Sequence, residues 1–413
     1  MFKQGLTSSA VMKSAFKPNI SSRMLGACTA RQPMINPVWW TGKNPVNQSD
    51  YIIDCSKYNI TKDNVPKELI EKMQDTYAKT GVVLLTQTKM NSLDRMQEVA
   101  ELILGGKMEY KGGANSRHNF ENTNVYDTGA PGSAHIHYHH EMAYVGKSVK
   151  NIAFGCSKRP QQDPTQGWTY ISDQVKATEW ILTRPVGQKL REKGICYIRN
   201  LTDKSYFEKN LANSNEIGWN GKDQVGVYNH WQQSFGTDDP AEAQRMAEER
   251  GLVVEWGENG YMKTKFYVDA FEYDPVTDRN YLYSSVADDS MWFDTWPGVA
   301  ELPTMSSYKD THHYERPLKI TYGDDTEFTR AELIDYVAAY DNFGLPIRWE
   351  EGDLAICCNY RWAHGRPSYE LQEGDERVLG VTLGLQYDRV GQRADKWNDE
   401  FAYQPEEAMM AAN

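Results

Sequence analysis

Between Ala134 and Ala143 the chain reads Ala-His-Ile-His-Tyr-His-His-Glu-Met-Ala, a run that holds four of the nine histidines. Alternation at period two is the signature of a strand, and it sends His135, His137 and His139 to one face with Glu141 continuing the row. Clustered imidazoles are hard to bury without a role. An imidazole and a carboxylate two residues apart on a strand can reach one metal ion. Two histidines and one carboxylate form a facial set that suits non-haem iron and leaves positions open for further ligands. The His-x-Glu spacing by itself is common, and the plain alternative is a hydrogen-bonded or solvated histidine cluster. His140 points to the opposite face and reads as a core residue or a support for the site.

A third ligand must come from elsewhere in the chain. The best source is Trp349-Glu-Glu-Gly-Asp-Leu-Ala-Ile-Cys-Cys-Asn-Tyr-Arg-Trp-Ala-His-Gly-Arg366, where a strand leads to Asn359, Arg361 and then His364. Arg377 follows at the start of the next strand, and a guanidinium there can clamp a carboxylate through two parallel hydrogen bonds. Arg366, two residues past His364, shares its face and is a candidate for cosubstrate or substrate binding. Cys357 and Cys358 read as small core residues.

The rest of the chain reads as a β core with helices packed outside it, without the regular βα alternation of a doubly wound sheet. Pro66 opens a helix with Leu69, Ile70, Met73 and Tyr77 on one face and Gly81 as its stop. Gly81–Leu85 is a short buried strand. A second helix covers Ser92 to Leu104. Strands are expected at 151–155, 194–199, 252–256, 354–357 and 378–387. Helices begin near Ser172, at Asp239-Pro240, and at the capping box Thr329-Arg-Ala-Glu332.

These pieces together resemble a known family. His139-x-Glu141, His364-Gly-Arg366 and Arg377 are similar to the motifs of the TauD/TfdA group of iron(II)- and 2-oxoglutarate-dependent oxygenases, in particular its clavaminate-synthase-like branch. The likeness runs from about Asp50 to Arg389. It takes in Tyr126, Gln166-Gly-Trp-Thr169, Trp231-Gln-Gln-Ser-Phe-Gly-Thr237 and the Gly352-Asp353 turn. Several motifs in the right order are more specific than any one. The resemblance implies that His139, Glu141 and His364 bind Fe(II), that Arg377 pairs with the distal carboxylate of 2-oxoglutarate, and that Thr169 hydrogen-bonds this cosubstrate. It implies a double-stranded β-helix, a distorted jelly roll, with helices buttressing one sheet. The family pattern Gly-Gly-x-Thr is Gln166-Gly-Trp-Thr169 here, a departure that bears on Thr169. The long interval between Glu141 and His364 implies an insertion, about 200–330, acting as a lid. In related halogenases a small residue replaces the carboxylate, so Glu141 speaks against halogenation.

The expected reaction consumes O2 and 2-oxoglutarate, releases succinate and CO2, and removes hydrogen from a small, anionic or amino-acid-like substrate. Its outcome would be hydroxylation, desaturation or ring closure, as in the synthesis of secondary metabolites. Asn115, Arg117, Tyr126, His137 and His230 are candidate substrate residues. The algal kainoid synthases, which close a ring on an N-prenylated glutamate, are one form this reading can take. A cupin-like metalloenzyme working without 2-oxoglutarate is another, against which Arg377 argues, and a non-catalytic sensor on a degenerate scaffold is a third.

Net charge bounds the partners. The chain has 57 acidic against 45 Lys and Arg residues, a balance of −12, which repels phosphate backbones and disfavours nucleic acid. No apolar run is long enough to span a membrane. Six scattered cysteines without a C-x-x-C suit reduced thiols in an intracellular compartment rather than a disulfide framework. Residues 1–49 lack Asp and Glu and are basic and hydroxyl-rich, which reads as a plastid or mitochondrial transit segment or a disordered leader. One oxygenase domain is expected over 50–400, with a tail at 401–413; the sequence is silent on oligomeric state.

Overall fold

A computed structural model describes residues 48–60, 64–106, 120, 125–126, 132, 136–210, 230–286, 318–367 and 369–397. The expected leader up to residue 47, the C-terminal tail, Asn115, Arg117 and His135 therefore lie outside the described residues.

Two sheets carry the centre of the fold. The larger runs in the order β1 (Ile52–Asp54), β2 (Val82–Thr86), β14 (Leu354–Cys358), β5 (Asn151–Lys158) and β16 (Val378–Leu383). Only the β1–β2 pair is parallel. The smaller runs β13 (Gly344–Ile347), β6 (Thr169–Asp173), β15 (Trp362–Arg366) and β3 (Ile136–His139), antiparallel throughout. Their inner faces share one apolar cluster, with Val82, Leu84, Ile152, Phe154, Ala355 and Val381 from the larger sheet and Ile171, Leu345, Ile347 and Trp362 from the smaller. This is the β core that the sequence pattern predicts, in the jelly-roll arrangement that the family resemblance implies.

The continuous apolar run of β2 follows from burial on both faces. Val82 and Leu84 point into the inter-sheet core. Val83 and Leu85 point outward under two helices, α1 (Lys67–Thr80) and α2 (Leu93–Leu104), which present Leu69, Met73, Met96, Val99 and Leu104 to them. Gly81 ends α1 in a left-handed conformation, and Ser92 caps α2 by accepting from Arg95 N. Arg361 donates to the carbonyls of Ala78 and Lys79 at the end of α1, a structural use that complements the helix dipole.

Helices cover the smaller sheet as well, so the expectation that they buttress one sheet is corrected. Tyr138, Tyr170 and Ala363 on its outer face join a second core. That core contains α3 (Gln174–Leu182), α4 (Pro185–Lys193) and, further along the chain, a helix at Arg330–Asp341. The helix read as starting near Ser172 starts at Gln174, because Ser172 belongs to β6 and Asp173 supplies the cap by accepting from Val175 N. It ends before Pro185, which opens α4 instead.

The described part of 200–330 is ordered by its own sheet. β7 (Ile195–Leu201) lies between β12 (Leu318–Tyr322) and β9 (Met262–Val268), and β8 (Val253–Trp256) forms the edge. Short helices α5 (Lys204–Asn210), α6 (Trp231–Phe235) and α7 (Pro240–Glu249) accompany it, the last capped by Asp239 as its sequence predicts. Phe266, Phe271, Leu282, Ile320 and Tyr322 pack into the core behind the smaller sheet. These residues thus back the sheet from outside, whereas 211–229 and 287–317 lie outside the described residues. The Arg330–Asp341 helix, α8, opens with the Thr329/Glu332 capping box that its sequence announces.

Among the described residues there are also a hairpin, β10 (Phe271–Asp274) with β11 (Arg279–Leu282), and a long-range antiparallel pair, β4 (Lys147–Val149) with β17 (Gln386–Asp388). The single strand expected over 378–387 is therefore two. The chain leaves the larger sheet after Leu383, where Gly384 N donates to Asn151 O, and re-pairs with β4.

Leu84 is fully buried between the sheets. Leu84→Ala is expected to cost about 2–5 kcal/mol of folding stability through lost burial and a residual cavity, read as a lowered midpoint in urea unfolding.

Candidate metal centre

Pairing of β3 with β15 sets His139 directly opposite His364. Opposed residues of an antiparallel pair share a face, and the two rings lie 4.4 Å apart between centroids. Glu141 reaches the same point by a different route. The strand ends at His139, and a turn closes behind it with Ala143 N donating to His140 O. The strand alternation read from the sequence thus stops short of Glu141, and the turn aims its carboxylate. One ligand atom from each of His139, Glu141 and His364 lies within 4.8 Å of the others. Glu141 Oε2 is 3.8 Å from His364 Nε2. Donors about 2.0–2.2 Å from a shared ion stand roughly 3–4 Å apart, so small side-chain rotations close the set around one cation.

Hydrogen bonding sets the histidines for this task. His139 Nδ1 lies 2.8 Å from His137 O. A carbonyl can only accept, so the proton sits on Nδ1 and Nε2 keeps its lone pair for a metal. His137 and His140 flank the ligand. Burial, with His139 nearby, pulls His137 down to about 3, and burial does the same to His140. Both are neutral at physiological pH and add no positive charge beside an incoming cation. His140 packs behind the site against Tyr283, with ring centroids 4.6 Å apart, as its opposite-face position implies.

A bulge falls between the His364 and Arg366 pairings of the two strands. Bulges often re-aim side chains beside active sites. Here the β3 backbone presses on Gly365, where an added Cβ would stand 2.9 Å from Ile136 O and 3.0 Å from Tyr138 N.

Of the remaining candidates that the structure describes, all but His230 sit on the same inner surface. Phe154 places its ring 5.1 Å from His364, and the register Phe154–Val381–Tyr126 carries that row to Tyr126, which is buried. Thr169 Oγ1 accepts from Trp349 Nε1 at 3.0 Å, which leaves its own proton to donate. Arg366 is buried, and its guanidinium lies 5.1 Å from the ring centre of Tyr369. Arg377 lies 5.2 Å from the same ring. Its Nε donates to Gly167 O at 2.8 Å. Its Nη2 is screened from solvent with no hydrogen-bond partner among the described residues, and burial lowers the guanidinium's pKa. A buried cation with an unmet donor is an anion site, which is the fit a keto diacid requires. His230 is the exception: its Nδ1 accepts from Gln233 N and caps α6 in a satellite cluster.

Sequence reasoning gave no role to Asn359, Ser148 or Tyr283, yet all three bond the backbone of Glu141. Their sequence neighbourhoods carry no periodic signal; only a buried Asn just before a ligand histidine could have hinted at one of them.

Two imidazoles and a carboxylate converging inside a jelly roll define a mononuclear metalloenzyme of the two-histidine, one-carboxylate class. The taurine catabolism dioxygenase TauD, TfdA family matches residues 54–383, and the chain belongs to that family. It is accordingly a 2-oxoglutarate-dependent dioxygenase that uses Fe(II), 2-oxoglutarate and O2. A clavaminate synthase-like protein of Arabidopsis thaliana is 22% identical over 292 residues, covering 70% of this chain and 78% of that protein. The dapdiamide synthesis protein DdaC of Enterobacter agglomerans is 20% identical over 317 residues, covering 75% and 84%. Among solved structures, a taurine dioxygenase from Burkholderia xenovorans is similar over 82% of this chain and 86% of its own, with TM-score 0.43 and 12% identity. No helix among the described residues is long and apolar enough to cross a membrane.

Gly365→Ala is expected to push β3 away from β15 and separate the two histidines. Metal affinity, measured by calorimetric titration, should fall at least about tenfold, alongside about 1–3 kcal/mol of lost stability from overpacking.

Proposed function

We propose that the chain removes hydrogen from a small, amino-acid-like carboxylate and thereby hydroxylates, desaturates or cyclises it. The observation that carries this reading is the Arg377 guanidinium with its unmet Nη2, held on the same inner surface as the three metal donors. A non-2-oxoglutarate metalloenzyme would have no use for that cation. Bound Fe(II), with 2-oxoglutarate and O2, supplies the oxidising power, giving succinate and CO2 as coproducts.

In this reading His139, Glu141 and His364 hold the iron. Arg377 donates to the distal carboxylate of 2-oxoglutarate, and Thr169 donates its free hydroxyl proton to the same ligand. Arg366 adds a second buried cation toward cosubstrate or substrate. Tyr126 and His137 border the substrate, with Asn115 and Arg117 as further candidates from the sequence, whereas His230 serves as a helix cap away from the site. The neutral imidazole of His137 can hydrogen-bond a substrate without repelling the metal. The apolar inner faces of both sheets keep water from the reacting C–H bond. Likeness to a dapdiamide synthesis protein supports a place in secondary-metabolite synthesis.

The test is succinate release by the purified chain with Fe(II), 2-oxoglutarate and O2 across a panel of amino-acid derivatives. Candidates for the panel are first chosen by their thermal stabilisation of the cobalt- or nickel-loaded protein with a cosubstrate analogue. Arg377→Leu is expected to raise the KM for 2-oxoglutarate at least about tenfold while metal affinity stays unchanged. Turnover that needs the metal but not 2-oxoglutarate would overturn the reading.

A further inference from the structure

We propose that Asn359 is a positioning residue for the metal-binding carboxylate: its side-chain amide locks the backbone of Glu141 in the turn that aims the ligand at the centre. The inference rests on the metal-centre reading above and deepens it.

Glu141 is the one ligand of the three that no strand holds. Its successor, Met142, has φ +57°, a left-handed conformation that costs a side-chain-bearing residue about 1–2 kcal/mol. Such a turn persists only where surrounding contacts over-determine it. Asn359 provides them. It is fully buried at the end of β14. Its Oδ1 accepts from Glu141 N at 2.9 Å, and its Nδ2 donates to Glu141 O at 3.0 Å. One side-chain amide therefore satisfies both backbone groups of the ligand residue, as a neighbouring strand would. Nδ2 also faces Val149 O at 2.9 Å and Tyr283 Oη at 2.6 Å. Ser148 Oγ and Tyr283 Oη reach the same Glu141 carbonyl at 3.0 and 3.3 Å. Just beyond the turn, Arg389 Nη1 donates to Ala143 O at 2.6 Å, and its Nε pairs with buried Glu272 at 2.9 Å.

The chemistry makes the amide irreplaceable. Aspartate keeps the acceptor for Glu141 N but turns the donor into a second acceptor facing Glu141 O and Val149 O. Alanine removes both bonds. Either change frees the turn to relax toward ordinary φ values, and the carboxylate swings with it.

Mn(II) is titrated into the full chain and its Asn359→Asp and Asn359→Ala variants, anaerobically, with binding read by the electron paramagnetic resonance signal of free Mn(II). Circular dichroism confirms that each variant is folded. Affinity is expected to fall about 10- to 100-fold, with lost turnover recovered at raised Fe(II). The deciding comparison uses a Glu141→Ala background. There the Asn359 change is expected to cost no further affinity, because the amide acts through Glu141 alone; a merely structural residue would weaken the remaining histidine site in both backgrounds. If both Asn359 variants fail to fold, Ser148→Ala and Tyr283→Phe, which each remove one hydroxyl from the same carbonyl, are expected to lower affinity several-fold in the wild-type background only. Folded Asn359 variants with wild-type Mn(II) affinity, or an equal loss without Glu141, would overturn the proposal. A wild-type chain that binds no Mn(II) would instead overturn the metal-centre reading on which it rests.

Discussion

The β3–β15 register is the contact on which the centre depends, because it alone brings two histidines from distant parts of the chain face to face. β3 is a four-residue edge strand, paired on one side only. Such a strand can slip, and a shift of one residue would turn His139 to the outer face. What prevents this is packing behind the sheet. Tyr138 points outward and stacks on Tyr340 of α8 at 5.9 Å between ring centroids, in a buried core shared with α3 and α4. A slip would drag that ring into the inner face and expose the core. The outer core thus acts as a register lock for the inner site.

The ligands are held by two kinds of force. His139 and His364 stand on a hydrogen-bonded ladder between apolar layers, so their separation is fixed by strand spacing. Glu141 stands in a turn fixed by polar contacts from β14, from Ser148 in β4, and from Tyr283 just beyond β11. A ladder is rigid but offers few directions; a turn offers any direction but must be pinned. A facial site needs three donors converging from one side, and a single strand face cannot supply that geometry alone.

Electrostatics divide the inner surface into two zones. Around the metal donors the flanking imidazoles are neutral, because burial penalises their charged forms. At the far end of the same sheets Arg377 keeps a positive charge in a screened position, its Nε bonded to Gly167 O. Gly167 has φ +72°, and an added Cβ there would stand 2.5 Å from Arg377 Cδ, so the guanidinium fits only because that position lacks a side chain.

Much of this was legible in local pattern. The alternation of His135, His137 and His139 marked a strand, and its described part, Ile136–His139, keeps His137 and His139 on one side, although the expected continuation to Glu141 ends in a turn. The caps Asp239 and Thr329 marked helix starts, the periodic run from Ser92 to Leu104 marked another helix, and the apolar run Gly81–Leu85 marked a short buried strand. Those readings hold because caps and periodicity report geometry within a few residues, where chain connectivity fixes it. Tertiary structure decided the rest: that Glu141 leaves the strand, that Asn359 holds it, that helices cover both sheets, and that Phe266, Phe271, Leu282, Ile320 and Tyr322 lie behind the smaller sheet. Each of these depends on contacts between segments far apart in the chain, whose energies no local spacing encodes.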